Sequence, residues 1–173
     1  MNSHIRICLI LCILAIIAPS FSHASAQDSL YDAKTAQKID PAMQSLLGPQ
    51  SGKFRYDSRM LRAAEIAASR ARKHSTSRCW RYVKDALVAA HMVETRPVTG
   101  YAKQAAAELT ENHGFKKIRE NNPYNAPMGA VIVYGGRGAG HVEIRTAKGF
   151  VSDFATERAS TRPLIGIYIK PRA

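Results

Sequence analysis

The sequence is short of cysteine, of acidic residues and of long apolar runs, and each shortage removes a class of explanation. Three cysteines in 173 residues cannot build the disulfide framework of a small secreted domain. Two of them, Cys8 and Cys12, stand inside or against the N-terminal apolar run Ile7 to Ala18. That run is too short to cross a bilayer comfortably, and no later stretch is long and apolar enough. Asp and Glu number 13 against 25 Lys and Arg, a formal charge of +12. Such an imbalance speaks about partners rather than fold. No internal repeat and no low-complexity tract is present.

The N-terminus reads as an export signal. His4 and Arg6 make a short basic start without an acidic residue. Pro19 and Ser20 end the apolar run, and Ala24-Ser25-Ala26 offers the small residues a signal peptidase reads. Cleavage after Ala26 is expected, giving a periplasmic or secreted protein. Cys12 follows Leu11, where a lipidation site needs a small residue. Of the basic residues only Arg6 leaves with the leader. The exported chain therefore stays strongly basic and suits anionic wall polymers or a membrane surface, not nucleic acid. The expected division is a signal peptide (1–26), an N-terminal extension (27–57) and one domain (58–173), acting as a monomer. In the extension the breakers Asp40-Pro41, Gly48-Pro49 and Ser51-Gly52 leave room for a short helix near Ala33 to Ile39.

The remaining periodicity changes once. Ser58 to Lys73 predicts a helix with a small-residue stripe of Leu61, Ala64, Ala67, Ala68 and Ala71. Arg78 to His91 predicts a second, with Val83, Ala86, Leu87 and Ala90 inward and Ser75, Thr76 or Ser77 as its cap. Tyr101 to His113 predicts a third, closed by Gly114. Strands then follow: Ala130 to Tyr134, His141 to Arg145, Phe150 to Phe154 after a Lys148-Gly149 turn, and Leu164 to Ile169. Helices before antiparallel strands make an α+β fold, with N-terminal helices packed on a small antiparallel sheet.

Export leaves Cys79 without a cysteine companion. A lone thiol in a secreted protein is reactive, bridged to another chain, or inert and buried. Cys79 opens a helix, where unpaired backbone N–H groups and a partial positive charge favour a thiolate. Arg78 and Arg81 add positive charge. Of the four histidines after the leader, His91 and His113 end helices and His74 lies in a loop. His141 follows the loop Gly135-Gly136-Arg137-Gly138-Ala139-Gly140 and opens a strand. It is the candidate base. In a hairpin turning near Lys148-Gly149, residues opposite His141 fall around Ser152 to Phe154. Asp153 is the candidate orienter of the imidazole, with Ser152 and Glu143 as alternatives. Glu143, two residues beyond His141 on the same face, is also a candidate substrate contact.

These segments resemble the CHAP and NlpC-like cysteine peptidases, including secreted amidase effectors and phage-type wall hydrolases. Arg78-Cys79-Trp80-Arg81-Tyr82-Val83-Lys84-Asp85-Ala86-Leu87 resembles their catalytic helix. Met128-Gly129-Ala130-Val131-Ile132-Val133-Tyr134 resembles their proline-glycine-aspartate strand, departing at Met128 and Ala130. Gly140-His141-Val142-Glu143-Ile144 and Gly149-Phe150-Val151-Ser152-Asp153-Phe154 resemble their histidine hairpin. The resemblance runs from about Thr76 to Pro171. It implies a papain-like α+β core and an amidase or endopeptidase acting on peptidoglycan stem peptides. Cys79, His141 and Asp153 would be catalytic, and Trp80, Gly140 and Glu143 would contact substrate. No metal or cofactor is implied. The alternatives are a cysteine protease or acyltransferase for other amides, and a non-catalytic basic domain that binds wall or membrane.

Overall fold

The computed structural model describes residues 53–172. The leader and most of the extension, with its expected helix near Ala33 to Ile39, lie outside the described residues. Residues just before the expected boundary at 58 contact the fold. Phe54 packs against the core, Tyr56 is buried in it, and the Asp57 N–H donates to the Lys170 carbonyl at 2.9 Å.

Among the described residues three α-helices come first: α1 (Arg59–Arg70), α2 (Cys79–Ala89) and α3 (Ala105–Asn112), the last entered through a 3-10 turn at Ala102–Gln104. Six strands follow: β1 (Lys116–Lys117), β2 (Val131–Tyr134), β3 (His141–Thr146), β4 (Gly149–Val151), β5 (Ala155–Thr156) and β6 (Leu164–Ile169). They form one antiparallel sheet in the order β1-β6-β2-β3-β4-β5. The expected α+β arrangement of helices on a small antiparallel sheet is the observed one.

Side-chain size explains the helix packing. On α1 the buried positions are Met60, Leu61, Ala63, Ala64 and Ala67. On α2, Val83, Ala86 and Leu87 are fully buried, as is Ala90 just beyond it. Alanines at the crossing let the two helices approach each other and lie on β3. The expected stripe on α1 runs one turn too far, since Ala68 is exposed and Ala71 lies past the helix end. Burying a side chain such as Leu87 contributes roughly 2 kcal/mol, and it fixes where the first turn of α2 sits.

Strand β2 is buried at all four residues, which is why it reads as a continuous apolar run rather than an alternating one. Its register with β3 sets Tyr134 opposite His141. The β3–β4 hairpin pairs Thr146 with Gly149, so Ala147 and Lys148 make the turn. The expected strand from Phe150 to Phe154 is interrupted. β4 ends at Val151, the chain bends at Ser152 and Asp153, and β5 folds back on β4. β1, two exposed lysines paired with Ile169 and Tyr168, has no apolar pattern that could announce it.

Candidate active site

Cys79 is the first residue of α2 and is half-buried. None of Ser75, Thr76 and Ser77 caps that helix. The N-cap position is Arg78, and no side chain bonds to the first turn. Its leading N–H groups are therefore left without a side-chain acceptor beside the thiol.

Asp153 holds the loop that delivers Cys79. Its fully buried carboxylate accepts from the Thr76 N–H (2.5 Å), the Thr76 hydroxyl (2.9 Å), the Arg78 N–H (3.2 Å) and the Ser75 hydroxyl (3.3 Å). Burial alone would raise its pKa, but the N–H groups of Thr76 and Arg78 outweigh that and lower it. The Arg72 N–H donates to the Asp153 carbonyl at 2.9 Å, tying the end of α1 to the same point. Ser77 takes a left-handed conformation (φ 60°) inside this clasp. The expected Asp153–His141 contact is thus corrected. β4 ends at Val151 and the chain bends at Ser152 and Asp153, which carries the Asp153 carboxylate to the loop at residues 75–78. Ser152 donates its hydroxyl to Asp153 at 3.2 Å and belongs to the same clasp.

His141 stands close enough to the Cys79 thiol for that group to act on its charge. Its Nε2 is 3.2 Å from Oε2 of Glu143, whose side chain is nearly inaccessible. Nδ1 is the ring nitrogen left for the thiol. Glu143 Oε1 accepts from the Tyr134 hydroxyl at 2.6 Å and from the Ser160 N–H at 3.4 Å. Burial opposes charge on His141, but the Cys79 and Glu143 hydrogen bonds and charges outweigh it and raise its pKa to about 9. Burial and the Glu143 charge push the Tyr134 hydroxyl the same way, so it stays protonated and donates. Glu143 is therefore a partner of the histidine rather than an exposed substrate contact. Tyr134 and Ser160 are members of the cluster that the sequence reading missed. Tyr134 carried a signal, because the residue opposite a strand histidine shares its face. Ser160 carried none.

Gly140 aims the histidine. Its φ is +76°, and a Cβ there would lie 2.5 Å from the Tyr134 carbonyl oxygen and 2.8 Å from Lys103 Cβ. The Lys103 N–H holds the neighbouring Ala139 carbonyl at 2.9 Å. At Gly140, an expected substrate contact, the close approach is thus one of the chain to itself. Trp80, an expected substrate contact, is 3% exposed, and its indole N–H donates to the Thr99 hydroxyl at 3.1 Å. It floors the cleft rather than projecting into it. The cleft, of about 220 Å3, opens between the first turn of α2 and the residues at Gly100, Ala102 and Ala139.

The other histidines lie elsewhere. His74 and His91 are exposed, and buried His113 stands 3.6 Å from Glu108, which caps the chain at Val98 and Thr99. Among the described residues no group of three or more His, Cys, Asp or Glu is placed to hold a metal ion.

No family model and no curated protein matches the chain. Among solved structures, its fold is similar to a chain of the type VI native effector–immunity complex Tae3–Tai3 from Ralstonia pickettii. The TM-score is 0.54 and the identity 22%, over 65% of this chain and 98% of that one. A chain of the selenomethionine form of that complex gives a TM-score of 0.45 and 28% identity, over 54% and 80%. The first likeness is one of fold.

Proposed function

We propose that the chain is an exported cysteine amidase or endopeptidase that hydrolyses amide bonds in peptidoglycan stem peptides through a thioester. The observation that carries this reading is the nearness of a helix-opening thiol to a histidine whose Nε2 is held by a buried carboxylate. That arrangement keeps a protonated imidazole beside the thiol, and a cysteine nucleophile reacts with the help of such a histidine. The peptide-wall substrate is supported by the motif resemblance and by the basic charge. The export part is supported by the leader.

The chemistry follows from the residues. The Cys79 thiolate attacks the scissile carbonyl carbon, and the C=O electron pair moves onto oxygen. N–H groups of the first turn of α2 lie beside that oxygen and stabilise its charge. The imidazolium of His141 gives its proton to the leaving amine as the C–N bond breaks, leaving the thioester. Neutral His141 then takes a proton from water, whose oxygen attacks the thioester carbon, and returns it to sulfur as the acid departs. Glu143 keeps the ring oriented and stabilises its charged form, the role first sought for Asp153. Asp153 positions Cys79 by clamping residues 75–78.

The test is digestion of purified sacculi by wild type and Cys79→Ala, followed by mass spectrometry of the released fragments. Wild type releases peptide fragments whose masses identify the bond, and Cys79→Ala, still folded, releases none. Full activity in Cys79→Ala would refute the mechanism.

A further inference from the structure

The mouth of the Cys79 cleft breaks an electrostatic rule. A helix start carries partial positive charge and favours acidic side chains. The first turn of α2 has none and carries Arg78 at the N-cap and Arg81 three residues on. That spacing puts two like charges on neighbouring positions of one face, which is unfavourable in itself. Both residues are exposed and both line the cleft, with Ser77, Cys79, Gly100 and Ala139, and no acidic side chain lines it. Neither guanidinium has an acidic ion-pair partner among the described residues, although Arg59 and Arg96 do. Asp153, which holds this loop, already accepts from Ser75, Thr76 and the Arg78 backbone, and Asp85, four residues beyond Arg81 on α2, is paired with Arg96 at 2.7 Å. Local choices that oppose the fold are expected where a ligand supplies the compensation.

We infer that Arg78 and Arg81 form a carboxylate-binding subsite, so that the preferred substrate carries a free carboxylate next to the amide that is cut. This deepens the hydrolase reading and rests on it. Two guanidiniums present planar forks that match carboxylate geometry. A bound carboxylate would relieve their mutual repulsion and hold the scissile carbonyl against the first turn of α2. The inference concerns substrate selection and leaves the thiol chemistry as described.

The test uses two synthetic stem peptides that differ only in having their side carboxyl groups free or amidated. Wild type should cleave the free-carboxylate peptide with kcat/KM about 10-fold higher or more, and the gap should narrow with added salt. In the double variant Arg78→Gln/Arg81→Gln the ratio should fall to within about twofold. Alkylation of Cys79 by iodoacetamide separates the alternative. If the double variant slows alkylation and lowers both peptides equally, the arginines serve the thiol and the subsite is refuted. Equal cleavage of both peptides by wild type refutes the subsite and leaves the hydrolase reading standing. If neither is cleaved, calorimetry with Cys79→Ala decides. Tighter binding of the free-carboxylate peptide keeps the subsite and removes the hydrolase, whereas equal binding removes both.

Discussion

The Glu143 carboxylate joins His141 to Tyr134, with one oxygen 3.2 Å from the ring Nε2 and the other accepting the phenol at 2.6 Å. Two strands thereby fix one imidazole, because His141 and Glu143 are alternate residues of β3 and Tyr134 lies opposite His141 on β2. A buried carboxylate so placed both orients the ring and stabilises its protonated form.

Glu143→Gln keeps the shape and removes the charge. Activity should fall about 100-fold, within the range for loss of general acid–base function. The pH profile should also move. His141 has a raised pKa of about 9, so the wild-type rate should decline as pH rises through about 9 and the imidazolium is lost. Without the Glu143 charge that decline should begin at lower pH. The sign for stability agrees. A raised histidine pKa stabilises the fold fully below the unfolded value near 6.5, and the contribution is lost as pH rises through about 9. The stability gap between wild type and Glu143→Gln should therefore narrow above about pH 9. A profile that keeps its alkaline limb in Glu143→Gln would take the orienting role from Glu143.

Asp153→Asn tests the clasp separately. The amide oxygen can take the place of Oδ2, which accepts all four loop bonds, with the NH2 toward the Ser152 hydroxyl, so the exchange removes the charge that strengthens those bonds. The loss should be about 2–3 kcal/mol in denaturant unfolding at pH 7. Because the Asp153 pKa is lowered, its contribution is present above the unfolded value near 3.9 and is lost as pH falls through the native one. Wild type should lose stability over that acid range more steeply than Asp153→Asn does. The alkaline limb of activity should stay near its wild-type position, since Asp153 is bonded to residues 75–78 and not to His141.

The contrast between these two acids shows what was legible in the sequence. The candidate thiol and the candidate base stood out from local context, a lone cysteine at a helix start and a glycine-flanked strand histidine. The helix faces of α2 and the central strands were legible for the same reason, since burial writes a period into the chain. The orienter of the ring was not, because it depends on where strand pairing stops. β4 ends at Val151 and the chain bends at Ser152 and Asp153 toward residues 75–78, so hairpin pairing does not reach Asp153. Glu143 shares a face with His141 whatever the register, and that intrastrand spacing was the sounder guide. The capping of α2 was also misjudged. Ser75, Thr76 and Ser77 have cap chemistry, but a carboxylate 75 residues or more distant in sequence binds their loop instead. Long-range contacts of that kind leave no local pattern.

Gly140→Ala should separate positioning from chemistry. Its Cβ would collide with the Tyr134 carbonyl and Lys103 at a backbone angle that disfavours any side chain. Overpacking should cost about 1–3 kcal/mol, and displacement of the adjacent His141 should lower kcat more than KM. Gly138→Ala supplies the comparison. Its φ is similarly +73°, but a Cβ there meets nothing within 4 Å. It should cost only the conformational penalty of about 1–2 kcal/mol and leave kcat within about threefold. Equal damage to kcat from the two variants would mean that flexibility of the whole loop, not the aim of His141, matters.

Arg81→Glu should set stability against activity. An acidic residue in the first turn of α2 agrees with the helix dipole and relieves repulsion with Arg78, so melting should rise by about 1–4 °C at low salt. Arg81→Gln should rise less, since it removes a repulsion without adding an attraction. The same Arg81→Glu exchange sets a negative charge beside the Cys79 thiol and at the cleft mouth. It should disfavour the thiolate and lower hydrolysis by about 10-fold or more, while slowing iodoacetamide alkylation of Cys79. Differential scanning calorimetry and the alkylation rate measure the two effects independently. If Arg81→Glu melts below wild type, the guanidinium contributes a structural contact and the electrostatic account of this helix start is wrong. A higher melting temperature with weaker hydrolysis is the pattern of a residue kept for its ligand at the expense of its helix.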